Sequence, residues 1–589
     1  DPSNHSAHRF LSDTYANLPR HEAARVSELL QAQLLQPVNV NPVQPHAAIA
    51  DINIINNTGP SSPGFNEFVP LMERSKPQLV VSGVAGNNGT LGNEMVFSKF
   101  NERTSISLGQ FHYETKGFRP NNDQNHNIYN AFIQHAFTSK LNVQLEYRRR
   151  EKEHGDLSMD YSHAGDPFKR RELNENIARI GMKYSLSPKH DFVFSGIFSD
   201  RLGKDFSKNE PFPGLVIDQQ NKLHVYGYQT EGQYLFKTDF LNVIAGVGFY
   251  RFQNKREDEN RNILLGESQL QNLPNFISNG NSGYVYTNLN VIKGMNWTLG
   301  FNYNVHDPNQ GQTYVGNQPT GHLFSVNKVN PKFGIQWSIT DSLRARFAWF
   351  EAVKSALIAN QTLEPTQVAG FNQLFDDING TKSQFAGAAL DYHARQDIYA
   401  GVEISKRNLD APRYSQNDNS SISAKNDEYH NEKQNERSYR AYFYWLPSKH
   451  WVVKANAKFE ELERGLAGLR DNDPMRIETL STPVSVDYFN HSGFFAGITG
   501  TFVRQNMKRF FPVGINESTK LSHGISNFFL LDAQVGFRLP MRRGIFSIEG
   551  KNLLDDSFLY ANQFFYISEP TSSRFIPERT IFGRLTLNF

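Results

Sequence analysis

The chain has 589 residues, 20% of them charged, with a formal net charge of +2 and no cysteine. That balance excludes the concentrated positive face of a nucleic-acid binder, and the missing cysteine excludes Cys-based zinc, iron–sulfur and disulfide frameworks. Aromatics reach 13%, with 46 Phe and 24 Tyr, yet the longest apolar stretches, near 240–250 and 528–537, run only about ten residues. This is too short for a transmembrane helix and suits a membrane-crossing β-strand.

The chain opens on helical spacing. Ala7, Phe10, Leu11 and Tyr15 share one face of a helix expected over 8–15. Ala23, Val26, Leu29, Leu30 and Leu34 share one face of a second, expected over 22–35. The pair has the size of one tetratricopeptide hairpin. A single such unit cannot bury its own face, so the pattern points to the end of a repeat array. No leader is visible, and the expectation is a chain that starts after processing. Prolines at 37, 42, 45, 60, 63, 70 and 77 then mark an extended linker or a segment lying in a lumen.

From about residue 78 the period becomes two. Leu141, Val143, Leu145 and Tyr147 alternate with Asn142, Gln144, Glu146 and Arg148. Leu343, Ala345, Phe347 and Trp349 oppose Arg344 and Arg346. Trp451, Val453, Ala455, Ala457 and Phe459 oppose Lys454, Asn456, Lys458 and Glu460. Ile581, Leu585, Leu587 and Phe589 oppose Arg584, Thr586 and Asn588. Period alone fits a soluble sandwich as well as a barrel. Connection lengths separate them. Short turns near 139–140, 187–190, 237–238, 293–294, 340–341, 394–395, 447–449, 490–492 and 540–543 alternate without a break with long polar connections. The long ones lie near 154–172, 202–220, 254–281, 306–321, 355–381, 409–433, 464–477, 505–521 and 553–573. Such parity belongs to outer-membrane barrels, with short periplasmic turns and longer extracellular loops.

The fold expected is therefore all-β: a transmembrane antiparallel up-and-down barrel of about 22 strands, or about 20 if the first hairpin, 79–85 with 94–100, is absent. The expected division is a periplasmic helical hairpin over 1–36, a linker or lumen segment over 37–77 and a barrel over 78–589. Both termini are then periplasmic, and the barrel's surroundings are outer-membrane lipid and lipopolysaccharide.

The final strands carry a motif. The run Phe546-Ser547-Ile548-Glu549-Gly550-Lys551-Asn552-Leu553-Leu554-Asp555, then Arg579-Thr580 and alternation to a terminal Phe589, resembles the last strands of TonB-dependent receptors. The inferred strand number matches that family too. Only 77 residues precede the first strand, and with helices, a Pro-rich segment and a barrel the layout resembles a tetratricopeptide-fused, receptor-like barrel without a standard plug. The segment from Leu145 to Leu157 also resembles such fusions. Exopolysaccharide export porins share the general layout. The resemblance implies a receptor-like channel that binds or passes a solute or polymer. It leaves the part played by TonB open.

Candidate lumen residues follow from the polar face: Glu146, Arg148, Arg150, Arg344, Arg346, Lys454, Lys458 and Glu460. Inward charges tune selectivity or pair with each other as structural ladders. His154, Asp156, Asp160 and His163, like Asp471, Asp473 and Asp418, lack the spacing of a Ca²⁺ loop and read as solvated loop. The Asn- and aromatic-rich stretches 417–421 and 560–566 fit sugar stacking or plain turn chemistry. No Gly-x-Ser-x-Gly elbow occurs, so neither an enzyme nor a cofactor is expected, and an enzyme assembled from separated strands is the remote alternative. The expected function is a transport channel or receptor-like barrel, with residues 1–36 linking to a periplasmic partner. The alternatives are a scaffold barrel anchoring a partner and an export porin.

Overall fold

The computed structural model describes residues 2–16, 18, 20–49, 76–159, 165–212, 215–263, 265–266, 268–272, 276–307, 313–315, 318–320, 325–415, 428–465, 474–511, 520–562 and 573–589. In hydrocarbon a sheet cannot leave an edge unpaired. Here 22 strands form one antiparallel barrel, closed where the first, Pro77–Gly86, pairs with the last, Thr580–Asn588, from Val80 opposite Asn588 to Gly86 opposite Phe582. The first hairpin is present as Pro77–Gly86 and Leu91–Asn101, so the count is 22 and the alternative of 20 falls.

The alternation has the sense expected in lipid. Leu145 and Tyr147 point outward at 50% and 48% exposed, while their neighbours Glu146 and Arg148 are buried inside. Several outer connections are more regular than expected. The strands His190–Phe212 and Leu215–Lys237 have 23 residues each and Leu241–Asn262 has 22, about twice what a crossing needs. Most of the expected loops 202–220 and 254–281 is thus paired strand. The pattern breaks because lipid imposes apolar side chains only over the membrane, whereas backbone pairing continues beyond it. Cross-strand pairs such as Lys222 Nζ to Glu257 Oε2, 2.8 Å, line these extensions. The expected loop 409–433 is likewise strand up to Ser415 and from Glu428.

The N-terminal helices are α1, His5–Tyr15, and α2, Glu22–Leu35. α1 starts three residues earlier than its apolar spacing suggests because Asn4 Oδ1 caps the N–H groups of Ser6 (3.0 Å) and Ala7 (3.3 Å). The hairpin was expected on the periplasmic side of the barrel. It lies within the lumen instead, and every residue of α2 is buried. At one end Gln144 Nε2 donates to the Gln33 carbonyl at 2.6 Å, Gln33 reaches Glu146 and Gln36 reaches Gln134. A Cβ on Gly181 of the wall would stand 2.3 Å from Leu34 Cδ2. At the other end the Ala23 N–H donates to Asp376 Oδ1 at 2.9 Å. The wall supplies the partner that a lone helical pair lacks, and its polar groups satisfy the polar face of α2 that would otherwise need water.

The described part of the Pro-rich segment continues inside. His46 Nδ1 meets Glu94 Oε1 at 2.6 Å and Arg148 donates to the Ala48 carbonyl at 3.1 Å. Residues 50–75 lie outside the described residues.

One long connection also turns inward. The loop 354–381, between Leu343–Val353 and Lys382–Ala394, buries Ile358, Leu363, Val368, Ala369, Phe371 and Phe375. The sequence pattern points to a polar loop here. All of these residues but Phe375 join Leu30, Leu34 and Leu35 of α2 and the inward wall residues Ile177, Val193, Ile197, Leu235 and Ile244 in one core inside the barrel, and Phe375 packs with Tyr15, Ala23 and Ala24. Its tip is a tight hairpin, Gln367–Val368 against Phe371–Asn372. Ala369 (φ 48°) and Gly370 (φ 82°) form the turn, both in the left-handed region that such two-residue turns require.

This burial predicts slow amide exchange. Hydrogen–deuterium exchange on the micelle-embedded chain should find α2 as protected as the wall strands, and Leu34→Asp should abolish that protection while the barrel keeps its heat-modifiable gel mobility. Exchange of α2 within seconds in the unaltered chain would remove the helix from the lumen.

Candidate functional site

The helical hairpin, the infolded loop and the wall meet at a buried ion-pair junction. Arg20, in the turn between the helices, donates to Asp377 Oδ1 of the loop at 2.8 Å and also pairs with Glu436 of the wall. Arg407 of the wall pairs with Asp377 and, at 3.0 Å, with Glu436. Two cations thus alternate with two carboxylates, drawn from three parts of the chain. Next to them, Asp376 accepts from the Ala23 N–H, and burial pushes its carboxyl up to about 6. Burial, with Lys458, Arg20 and Arg407 nearby, pushes His21 down to about 3, so its ring is neutral.

Further contacts tie the loop to both other elements. Tyr15 Oη lies 3.0 Å from Thr366 Oγ1. The Thr366 hydroxyl also bonds Glu28, which meets His8 Nδ1 at 2.5 Å. The Thr362 N–H donates to Ser27 Oγ at 3.1 Å. On the wall, Glu231 takes Thr362 Oγ1 at 3.2 Å and the Leu363 N–H, while Glu364 accepts from Tyr286 Oη and Asn302 Nδ2, both at 2.6 Å. Arg346 donates to the Gly370 carbonyl at 3.1 Å. Gly370 has φ 82°, a conformation that side chains other than glycine's strain to adopt, and a Cβ there would also push Arg346 Nη1, 2.9 Å away. Arg346 is three residues from the short-turn end of its strand, so the loop spans most of the lumen's depth.

The lumen has two unlike sectors. From Arg170–Ser187 round to Lys382–Ala394 the wall holds the apolar core just described. From Ile398–Ser415 to Pro474–Phe489 the middle of its inner face is polar. There Arg440, Tyr442, Tyr444, Asn456, Lys458 and Glu460 are half-buried. Higher up, the loop after Gly544–Lys551 covers this sector. Phe558 stacks on Phe528 at 3.7 Å, Tyr560 and Phe575 pack edge-on, and Gln505 exchanges two hydrogen bonds with Ala561.

Most of the residues picked from sequence face inward and are paired. Glu146 binds Arg148 and, at 2.6 Å, Arg179. Arg150 approaches Glu175 at 3.7 Å. Arg346 holds Asp391 (2.6 Å) and Glu403 (3.1 Å). Lys454 pairs with Asp487 at 3.0 Å and Lys458 with Glu460 at 2.7 Å. Arg344 instead stands exposed at the short-turn end. The structure therefore favours the ladder reading of these charges over a string of unpaired pore charges. Arg346, Lys454, Lys458 and Glu460 border this polar, half-open sector; Glu146, Arg148 and Arg150 lie under the N-terminal segment.

His154 and Asp156, read as solvated loop, are buried. Asp156 holds Arg119 at 3.1 Å and the Asp166 N–H at 3.0 Å, so it organises the outer loop. Tyr560 belongs to the aromatic cover and not to plain turn chemistry. Asp160, His163, Asp418, Asp471, Asp473 and the stretches 417–421 and 563–566 lie outside the described residues. Among the described residues no group of three or more His, Asp or Glu is placed to hold a metal. Sequence reasoning missed Arg20, Asp377, Arg407 and Glu436. The one signal available was the apolar content of 354–381, which marks a loop with something to bury.

No protein-family model matches the sequence, and no curated protein is similar to it. Solved structures are similar. The copper transporter OprC matches at a TM-score of 0.64 and 11% identity, over 88% of this chain and 81% of that one. The ferripyoverdine receptor of the outer membrane of Pseudomonas aeruginosa matches at 0.63 and 11%, over 87% and 72%. The ferric citrate transporter FecA matches at 0.58 and 13%, over 87% and 78%. At this identity the likeness is one of fold, and it is the fold of outer-membrane transporters and receptors.

The junction should behave as a unit. Removing one member of a buried ion pair leaves its partner charged and unpaired, a cost of about 3–5 kcal/mol. Arg20→Gln and Asp377→Asn should each release α2 to fast exchange, and the double variant should cost clearly less than the sum of the two. Strict additivity in that cycle would mean that the two residues are not coupled.

Proposed function

We propose that the chain is a gated, receptor-like transport barrel of the outer membrane, closed at rest by two plugs of its own, α1–α2 and the loop 354–381. The observation that carries this is the Arg20–Asp377–Arg407–Glu436 junction. It fastens an N-terminal element to a loop from the long-loop end, so displacement of one element is felt by the other. A wide barrel needs its lumen filled.

In this reading the long-loop end faces outward and receives a small solute, and the N-terminal segment answers to a periplasmic partner, TonB or another protein that pulls. Support for a grip there comes from α1, whose Ser6, Phe10 and Thr14 form an exposed face, Phe10 at 70%. The fold shared with transporters of copper and ferric citrate supports uptake of a solute over export of a polymer. The scaffold reading keeps one observation on its side, the near-complete pairing of lumen charges. In the scaffold the filling is permanent.

Single-channel recording in planar bilayers tests this. The intact chain should be silent, and a chain lacking residues 1–49, or carrying Arg20→Gln with Asp377→Asn, should show discrete openings. Large steady conductance in the intact chain would replace the gate with an open export or diffusion pore. Silence of every variant would leave the scaffold.

A further inference from the structure

The half-open sector of the lumen contains a cation whose hydrogen-bond partners are neutral. Arg440 sits on the inward face of Glu428–Ser448 and donates to the Tyr444 hydroxyl at 3.3 Å and to Asn456 Oδ1 at 3.4 Å. Its guanidinium carbon lies 5.3 Å from the centre of the Tyr442 ring. Both hydrogen bonds are long for a charged donor, which settles at about 2.7–2.9 Å on a carboxylate or phosphate oxygen.

The neighbouring carboxylates are engaged elsewhere. Glu403, directly across the ladder from Arg440, and Asp391 are held by Arg346, and Asp391 also accepts from Tyr442 Oη at 2.8 Å. Glu460 is held by Lys458. On the other side Arg440 stands directly opposite Lys458. Lys458 already has Glu460, so Arg440 is the cation of this pair held by neutral groups alone, and an anion brought to it gains charge-assisted bonds. Tyr442 and Tyr444, stacked at 5.2 Å and 28°, stand beside Arg440.

We propose that Arg440 and Lys458, with Tyr442, Tyr444 and Asn456, form a binding site inside the lumen for a small solute that carries a carboxylate or phosphate group. The bound oxygens take the guanidinium in two short charge-assisted bonds in place of two long neutral ones. The tyrosine pair seats the body of the solute. Glu436 of the ion-pair junction is two inward positions away on the same strand, so the bound anion sits next to the point where the hairpin is anchored. The site exists in the closed chain, and its occupancy does not depend on whether the barrel opens.

The test is titration calorimetry on the full chain in detergent with inorganic phosphate and, separately, acetate and citrate as probes. Saturable binding of phosphate or of a carboxylate is expected, weakened roughly ten- to a hundredfold by Arg440→Gln, the loss of a hydrogen bond to a charged group. Lys189→Gln, in the exposed short turn near 187–190, should leave it unchanged. Whichever probe competes at the lower concentration identifies the head group. Arg440→Lys, which keeps the charge and loses the two-pronged geometry, should bind with intermediate affinity and serves if the Gln variant does not fold. No saturable binding by any probe, or equal binding by wild type, Arg440→Gln and Arg440→Lys, overturns the proposal.

Discussion

In hydrocarbon no water is at hand for an unpaired N–H or C=O, so every strand must have a neighbour on both sides. Here that demand is met by the ladder joining Val80–Gly86 to Phe582–Asn588. Its consequences run through the whole molecule. Twenty-two strands enclose a lumen too wide for the wall's side chains to fill. The chain fills it with pieces from two distant places, α2 and the loop 354–381, and the wall has been shaped to receive them. Ile177, Val193, Ile197, Leu235 and Ile244 point inward where a water-filled channel would have polar residues.

The filling is uneven, and the unevenness has chemical meaning. One sector is an apolar core sealed by helix and loop. The other is a polar wall of tyrosines, arginine, lysine and carboxylates that solvent still reaches. Between them runs the line of buried charges from Arg20 to Glu436. Buried ion pairs add little net stability over apolar packing of the same shape. What they supply is register: a hairpin shifted along the lumen by one turn would take Arg20 from both its carboxylates and leave Arg407 alone between Asp377 and Glu436.

The sequence was legible where the membrane dictates it. Leu141 to Tyr147 and Ile581 to Phe589 alternate because each outward position meets lipid, and the parity of short and long connections follows from crossing a slab. The motif Asn552-Leu553-Leu554-Asp555 was legible as a strand ending. Its reason is local: Asn552 (φ 49°) and Asp555 (φ 58°) sit in the left-handed region, and Asp555 Oδ1 accepts the Arg579 N–H at 2.8 Å where the last strand begins. The lumen was hard to read. Glu146 and Arg346 could be placed on the inner face, but their partners Arg179 and Asp391 could be named only with the register in hand. The junction joins residues 20, 377, 407 and 436, which no local pattern connects. The hairpin looked like a repeat end because its apolar face asks for a partner, and the sequence does not say that the partner is the barrel's own wall.

The residues that bury α2 set an order of assembly. Those of the wall and the infolded loop that meet α2 and the turn before it come from between residues 134 and 436, far along the chain from the helix. Its wall contacts wait until the wall as far as Glu436 has been made and paired, so a segment that precedes the wall is among the last to settle. Contacts this far apart in sequence form slowly. Until the seam closes, the hairpin hangs from the first strand with its leucines uncovered, a client for whatever periplasmic factor escorts the chain to its membrane.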